Sequence, residues 1–230
     1  MNRKKGDRPF TKVVLAMSAD GKITDEARSP ARFGSTADKR HLEEQIASCD
    51  AALFGATTLR VYGTTLPVTA SDLLQQRQER RQSPQPIHIV CSASGDLDPN
   101  LRFFQQPVPR WLLTTSTGAQ CWQGANAFER ILIQDAAPSF DWAEVFAKLL
   151  GLGIDNLAIL GGGELVASLL AAGCIDELYL TVCPLLLGGR TAPTIVEGCG
   201  FSEALAPRLE LVSVRSIDQE VFLSYKVCPG

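Results

Sequence analysis

LAILGGGELVASLL, residues 157–170, decides the fold. A short apolar run, three glycines and a second, longer apolar stretch follow one another without a break. That order reads as a buried strand over Asn156 to Leu160, a tight turn, and a helix from Glu164 to Ala172 that Gly173 stops. Glycines let a backbone approach a ligand closely, and the helix start supplies free N–H groups and a positive dipole. No Gly-Lys-Ser/Thr follows, so this is not a Walker loop. Val166 stands where the Rossmann fingerprint has its last glycine. The turn therefore either cradles a phosphate or only joins strand to helix.

Outward from this unit the same alternation recurs. Strands are expected at Lys12 to Met17, Lys22 to Thr24, Ala51 to Gly55, Ile87 to Cys91, Trp111 to Thr115 and Tyr179 to Pro184. Helices are expected from Ser35 or Thr36 to about Cys49, from Ala56, over Leu73 to Arg81, and over Phe140 to Leu150. Asp38, three residues after Ser35, resembles a capping box. Leu209 to Ser216 and Glu220 to Val227 read as a closing antiparallel pair. Strands alternating with helices predict an α/β fold. It is a three-layer αβα sandwich with a mixed, mostly parallel sheet of about eight or nine strands and an antiparallel C-terminal edge. Residues 1–9 read as a flexible basic tail, and residues 10–230 as a single domain.

Composition excludes several classes. The 230 residues carry a formal net charge of −3, not the basic footprint of a nucleic-acid binder. Hydrophobic residues make up 45% and charged residues 20%, which is ordinary globular usage. No apolar stretch is long enough to span a membrane, and the N-terminus lacks the apolar core of a secretory signal. The 7 cysteines form no C-x-x-C pair and read mostly as small buried hydrophobes, which implies a reducing, cytoplasmic setting. With 2 histidines and no cysteine cluster, no metal site is expected. His88 reads as a satisfied core residue. Arg77, Arg80 and Arg81 read either as a solvated helix face or as a grip on a ligand phosphate.

Two further strand ends carry polar groups. AMSADGKI, residues 16–23, places Lys22 just past a turn, where it could bind an anion or be an ordinary surface lysine. LFGATTL, residues 53–59, places Thr57 and Thr58 at a helix start, where they cap the helix or bind a phosphate. In open α/β sheets, ligands bind outside the carboxyl ends of strands. All three motifs sit at such ends.

These motifs, with CDAALFGATT (49–58) and the run on to Asp176-Glu177-Leu178, Pro184 and Gly188-Gly189, resemble the reductase domain of bacterial riboflavin biosynthesis. They also resemble its stand-alone archaeal and fungal relatives, which share a dihydrofolate-reductase-like fold. The match runs from residue 11 to about 227, without the zinc deaminase domain that often precedes this reductase. The resemblance implies NADPH, a homodimer and hydride transfer to C1′ of a phosphorylated ribosylaminopyrimidine, which turns its ribosyl group into ribityl. It implies that Gly161, Gly162, Gly163, Glu164 and Leu165 hold the cofactor pyrophosphate, with Thr57, Thr58 and Ser92 beside it. Lys22 would be catalytic, near the reacting sugar, and Ser35 and Tyr62 would bind substrate. The sequence departs from the family at Leu160 (usually glutamate), Ile46 (usually arginine) and Tyr62 (often aspartate). These are mostly substrate-side positions, which Lys39, Arg40 or His41 could replace. Reduction of another pterin or heterocycle, or non-catalytic nucleotide binding on this scaffold, are the alternative readings.

Overall fold

The computed structural model describes residues 6–135 and 140–228. Nine strands form one sheet: β1 (Phe10–Ser18), β2 (Ala51–Gly55), β3 (Ile87–Cys91), β4 (Arg110–Thr114), β5 (Arg130–Ile133), β6 (Asn156–Ile159), β7 (Glu177–Cys183), β8 (Arg208–Ile217) and β9 (Glu220–Cys228). Their order is β5-β4-β3-β2-β6-β1-β7-β9-β8. Pairing is parallel from β5 through β7 and antiparallel across β7, β9 and β8. Among the described residues six α-helices cover the sheet: α1 (Thr36–Ala47), α2 (Ala56–Tyr62), α3 (Ser71–Glu79), α4 (Ser116–Gln120), α5 (Trp142–Gly151) and α6 (Gly163–Ala171).

Successive strand residues point to opposite faces, so a continuous apolar run fills two cores. Leu53, Ile89, Leu113 and Ile159 pack on Phe146 and Leu149 of α5 and Leu169 of α6. Their neighbours Phe54, Val90 and Leu112 face the other way, against Leu59 of α2 and Trp122. Ile46 of α1 and Leu73 of α3 close a third cluster with Val68. The sandwich expected from the alternation of elements is what forms.

β6 is the topological switch that builds the site. It lies between β1 and β2, so their carboxyl ends stand side by side. The Leu160 N–H donates to the Leu53 carbonyl at 2.9 Å, and the Gly55 N–H to the Gly161 carbonyl at 3.1 Å. The glycine run is thereby fastened to the end of β2.

Local expectations are met in part. The Ser35 hydroxyl accepts from the Ala37 and Asp38 N–H groups and caps α1, a bond worth about 1 kcal/mol. The reciprocal half of the capping box is absent: the Ser35 N–H donates to Glu220, not Asp38. Asp141 caps α5, which starts at Trp142 rather than Phe140. Lys22 to Thr24 is not a strand; a single bridge joins Lys22 to Thr194. The reason is topological, because β6 and β7 already occupy both edges of β1. The hairpin turn at Asp218 and Gln219 holds both in the left-handed region, at φ 49° and 72°.

Of the basic segment, Arg80 and Arg81 are exposed, as the solvated reading expects, but Arg77 fits neither reading. Arg77 is 1% exposed, and its guanidinium donates to the Ala47 and Cys49 carbonyls at 2.8 and 2.7 Å. His88 is fully buried, with Nδ1 2.7 Å from the Thr65 hydroxyl and no partner for Nε2 among the described residues. Burial pushes its pKa down to about 4, so the ring is neutral. Of the cysteines, Cys49, Cys174 and Cys183 are buried, whereas Cys121 and Cys199 are exposed. Of the 1–9 segment, residues 1–5 lie outside the described residues, while Arg8 is bonded to Asp176 at 2.8 Å.

Candidate active site

A cavity of about 1000 Å³ opens at the carboxyl ends of β1, β2, β3 and β6. This is the upper end of the usual range for ligand sites. Its walls include Thr57, Thr58, Ser92, Gly161, Gly162, Gly163, Glu164 and Leu165, and also Ser35 and Tyr62. The residues that the sequence placed at separate strand ends therefore meet around one space.

The glycines differ in what holds them. Gly161 has φ +102°, a left-handed conformation that L side chains rarely adopt. Gly163 is required by packing: a Cβ there would lie 2.5 Å from the Thr194 carbonyl oxygen and 2.7 Å from Glu197 Cγ. Gly162 is extended and unhindered, and a Cβ there would meet only the Thr58 hydroxyl, at 3.6 Å. Gly162 is also the N-cap of α6 and supplies no side-chain cap. The first-turn N–H groups of α6 thus keep their dipole end available beside the Thr58 hydroxyl.

The remaining wall is largely apolar and carries side chains of both charges. Four cationic side chains, Arg28, Arg32, Lys39 and Arg60, and three acidic ones, Asp38, Glu164 and Glu197, line it. Arg32, Lys39 and Asp38 come from the start of α1 and the segment before it. Tyr62 accepts a hydrogen bond from the Ala31 N–H at 3.1 Å, and burial raises its phenol pKa, so it stays neutral.

Lys22 is not part of this wall. Ile23 and Thr24 line the cavity, but the Lys22 ammonium donates to the Ala192 carbonyl at 3.0 Å. The Lys22↔Thr194 bridge holds its backbone against the 192–194 segment, at the edge of that wall. Of the family departures, Leu160 and Tyr62 do line the cavity. Ile46 does not; it is fully buried between α1 and α3. A guanidinium reaches the end of α1 all the same, from Arg77 of α3. Of the three suggested substitutes only Lys39 faces the cavity. Arg40 is paired with Glu44 and Asp72, and His41 is buried against Phe222.

Sequence reasoning did not single out Arg28, Arg32 or Glu197. They lie in loops with no periodicity, and only the fold brings them to β6. Asp38 was noted as a capping residue alone.

The sheet order, the antiparallel edge and the cavity at the switch point define a dihydrofolate-reductase-like α/β protein. Dihydrofolate reductase from Enterococcus faecalis shares the fold at a TM-score of 0.50 over 95% of this chain and 99% of that one, with 14% identity. The chain belongs to the RibD C-terminal domain family, whose profile matches residues 9–223. It is 28% identical to the 2,5-diamino-6-ribosylamino-4(3H)-pyrimidinone 5′-phosphate reductase of Methanothermobacter thermautotrophicus, over 96% of this chain and 99% of that protein. A pyrimidine reductase-like protein of Corynebacterium diphtheriae superposes with a TM-score of 0.79 at 22% identity, covering 96% of this chain and 93% of that one. No helix among the described residues is long and apolar enough to cross a membrane.

Proposed function

We propose that the protein is a cytoplasmic, NADPH-dependent reductase of the riboflavin pathway, with residues 10–230 as one reductase domain. Its substrate is a phosphorylated ribosylaminopyrimidine, whose ribosyl group becomes ribityl. One observation carries this reading: a chain of this family gathers the glycine run, Thr58 and a cation-bearing wall around a single cavity.

The residues fit a dinucleotide. A pyrophosphate suits the uncapped start of α6, where Gly162 leaves space that any side chain would fill. Gly161, Gly163, Glu164 and Leu165 form the rest of that cradle, with Thr57, Thr58 and Ser92 alongside. When bound, the reduced nicotinamide supplies a hydride, the chemistry no side chain here can provide. Ser35 and Tyr62 contact the substrate, and Arg32 and Lys39 offer charge to its phosphate. Leu160, apolar on the cavity wall, favours a second reading in which the same cofactor reduces a different heterocycle.

Thermal melting with NADPH, NADH and no ligand tests the cofactor. A ligand at 100 times its dissociation constant stabilises the native state by about 2.7 kcal/mol. That raises Tm by about 5–11 °C for a domain of this size. The expected result is that rise with NADPH; no rise with either nucleotide would contradict the reading.

The protein is further proposed to act as a homodimer through its sheet edge. β8 is exposed along its whole length, and Leu211, Val212 and Val214 are 53%, 63% and 55% exposed. A long apolar edge strand invites pairing with another strand, and a second copy presents the same edge. Light scattering should give twice the 24.8 kDa chain mass, and Val212→Lys with Val214→Lys should give the single chain. A wild-type protein already at the single-chain mass would overturn the assignment.

A further inference from the structure

Of the three carboxyl groups on the cavity wall, Glu164 and Glu197 lie by the glycine run. Glu164 is in the first turn of α6. Asp38 stands in another setting, half-buried in the first turn of α1 above β7. Thr181 of β7 lies beside it, and its hydroxyl favours the charged form. Behind it lies a second, deeper carboxyl. Glu220 is 2% exposed and accepts from the Ser35 N–H at 2.8 Å, the Ser35 hydroxyl at 2.6 Å and the Cys183 thiol at 3.5 Å. Among the described residues no lysine or arginine forms an ion pair with either carboxyl.

Burial raises the Asp38 pKa above the ordinary aspartate value, the Thr181 hydrogen bond opposes this, and the Glu220 charge adds to the rise. The other groups facing it are Tyr62 of α2 and Cys183 of β7. Both stay neutral, the thiol being pushed up to about 12 by burial and by the two carboxyls. Arg32 and Lys39 lie along the same wall. Efficient proton donors have pKa values near the working pH. Asp38 moves towards that range, whereas burial moves the Tyr62 phenol away from it.

We propose that Asp38 is the acid that protonates the sugar oxygen during reduction, and that Glu220 is its positioning residue. This rests on the reductase reading above. As a hydride from the reduced nicotinamide reaches C1′, the C1′–O4′ bond breaks and its electron pair stays on O4′. O4′ then takes the Asp38 proton, leaving an open ribityl chain, an oxidised nicotinamide and an Asp38 carboxylate. Glu220 acts through Ser35, holding the cap of α1 and so the direction of the turn that carries Asp38.

The test compares wild type, Asp38→Asn and Glu220→Gln in full-length protein. A positioned acid contributes about 10²–10⁴-fold. Asp38→Asn should lower kcat at least ~100-fold, with the melting shift caused by NADPH unchanged. Wild-type kcat should fall as pH rises through the Asp38 pKa; that limb should move to lower pH in Glu220→Gln and vanish in Asp38→Asn. A second readout needs no turnover. The folded pKa lies above the unfolded one, so the Asp38 contribution to stability is present in acid and lost as pH rises through the folded value. Ligand-free Asp38→Asn should therefore melt about 2–4 °C above wild type at neutral pH, with the gap closing in acid. An Asp38→Asn enzyme that keeps more than a third of wild-type kcat with an unchanged pH profile overturns the acid role while the reductase reading stands. A melting gap that does not vary with pH overturns the buried-acid assignment. Wild type that never oxidises NADPH with a phosphorylated ribosylaminopyrimidine sinks the reductase reading itself, and the acid role with it.

Discussion

Gly162→Val is expected to abolish nicotinamide nucleotide binding without unfolding the protein. Its backbone, at φ −85° and ψ −175°, suits a β-branched residue. A Cβ would clear every backbone atom and meet only the Thr58 hydroxyl, at 3.6 Å. The added methyls then fill the space at the uncapped start of α6. Affinity should fall at least ~100-fold, which is about 2.7 kcal/mol, while the ligand-free Tm stays within about 2–4 °C, a change of ~1 kcal/mol. Titration calorimetry with NADPH checks the first half and melting the second. Gly163→Ala is the contrasting control. Its Cβ would lie 2.5 Å from a backbone oxygen, so stability is lost there whatever ligand is present. Nucleotide binding that survives Gly162→Val would place the cofactor elsewhere.

Arg77→Ala is expected to be the most destabilising single change in the surface-directed segments. The guanidinium donates to the Ala47 and Cys49 carbonyls, and Nε donates to the Ser83 carbonyl at 2.7 Å. It ties α3 to the end of α1, next to the start of β2, together with Arg80, which also donates to the Ala47 carbonyl at 2.9 Å, and the Arg40–Asp72 pair. Each unsatisfied buried carbonyl costs about 1–3 kcal/mol, and the vacated side-chain volume adds a cavity term. A loss of about 4 kcal/mol corresponds to a Tm drop of about 8–16 °C. Arg77→Lys should recover only part of it, because a single ammonium cannot reproduce the planar fork. Melting of the ligand-free variants decides; a drop under about 4 °C, near 1 kcal/mol, would contradict the structural role.

The contrast between Gly162 and Arg77 marks what the sequence could tell. The glycine run, the two threonines after β2 and the capping Ser35 are local signals, written in a few consecutive residues. Each was legible, and the parallel-sheet rule placed the glycine run and the threonines at one end of the molecule. Arg77 reads as a surface arginine because neighbouring arginines and glutamines surround it; its burial follows from the docking of α3 on α1. Glu220 and Ser35 are 185 residues apart, so no spacing rule could pair them. Lys22 shows the converse. Its local setting after an Asp-Gly turn suits a ligand, but the 192–194 segment claims it. β5 went unread because it is a sheet-edge strand with Arg130 and Ile133 exposed, and α4 because 5 residues are too few for helical periodicity to register.

The central claim is reduction of a phosphorylated ribosylaminopyrimidine at this cavity. The most direct measurement mixes the purified protein with NADPH and 2,5-diamino-6-ribosylamino-4(3H)-pyrimidinone 5′-phosphate, and follows NADPH absorbance with mass analysis of the product. The expected result is stoichiometric NADPH oxidation and a product heavier by two hydrogens, carrying an open ribityl chain. NADPH that binds yet stays reduced, with the pyrimidine recovered unchanged, would contradict it.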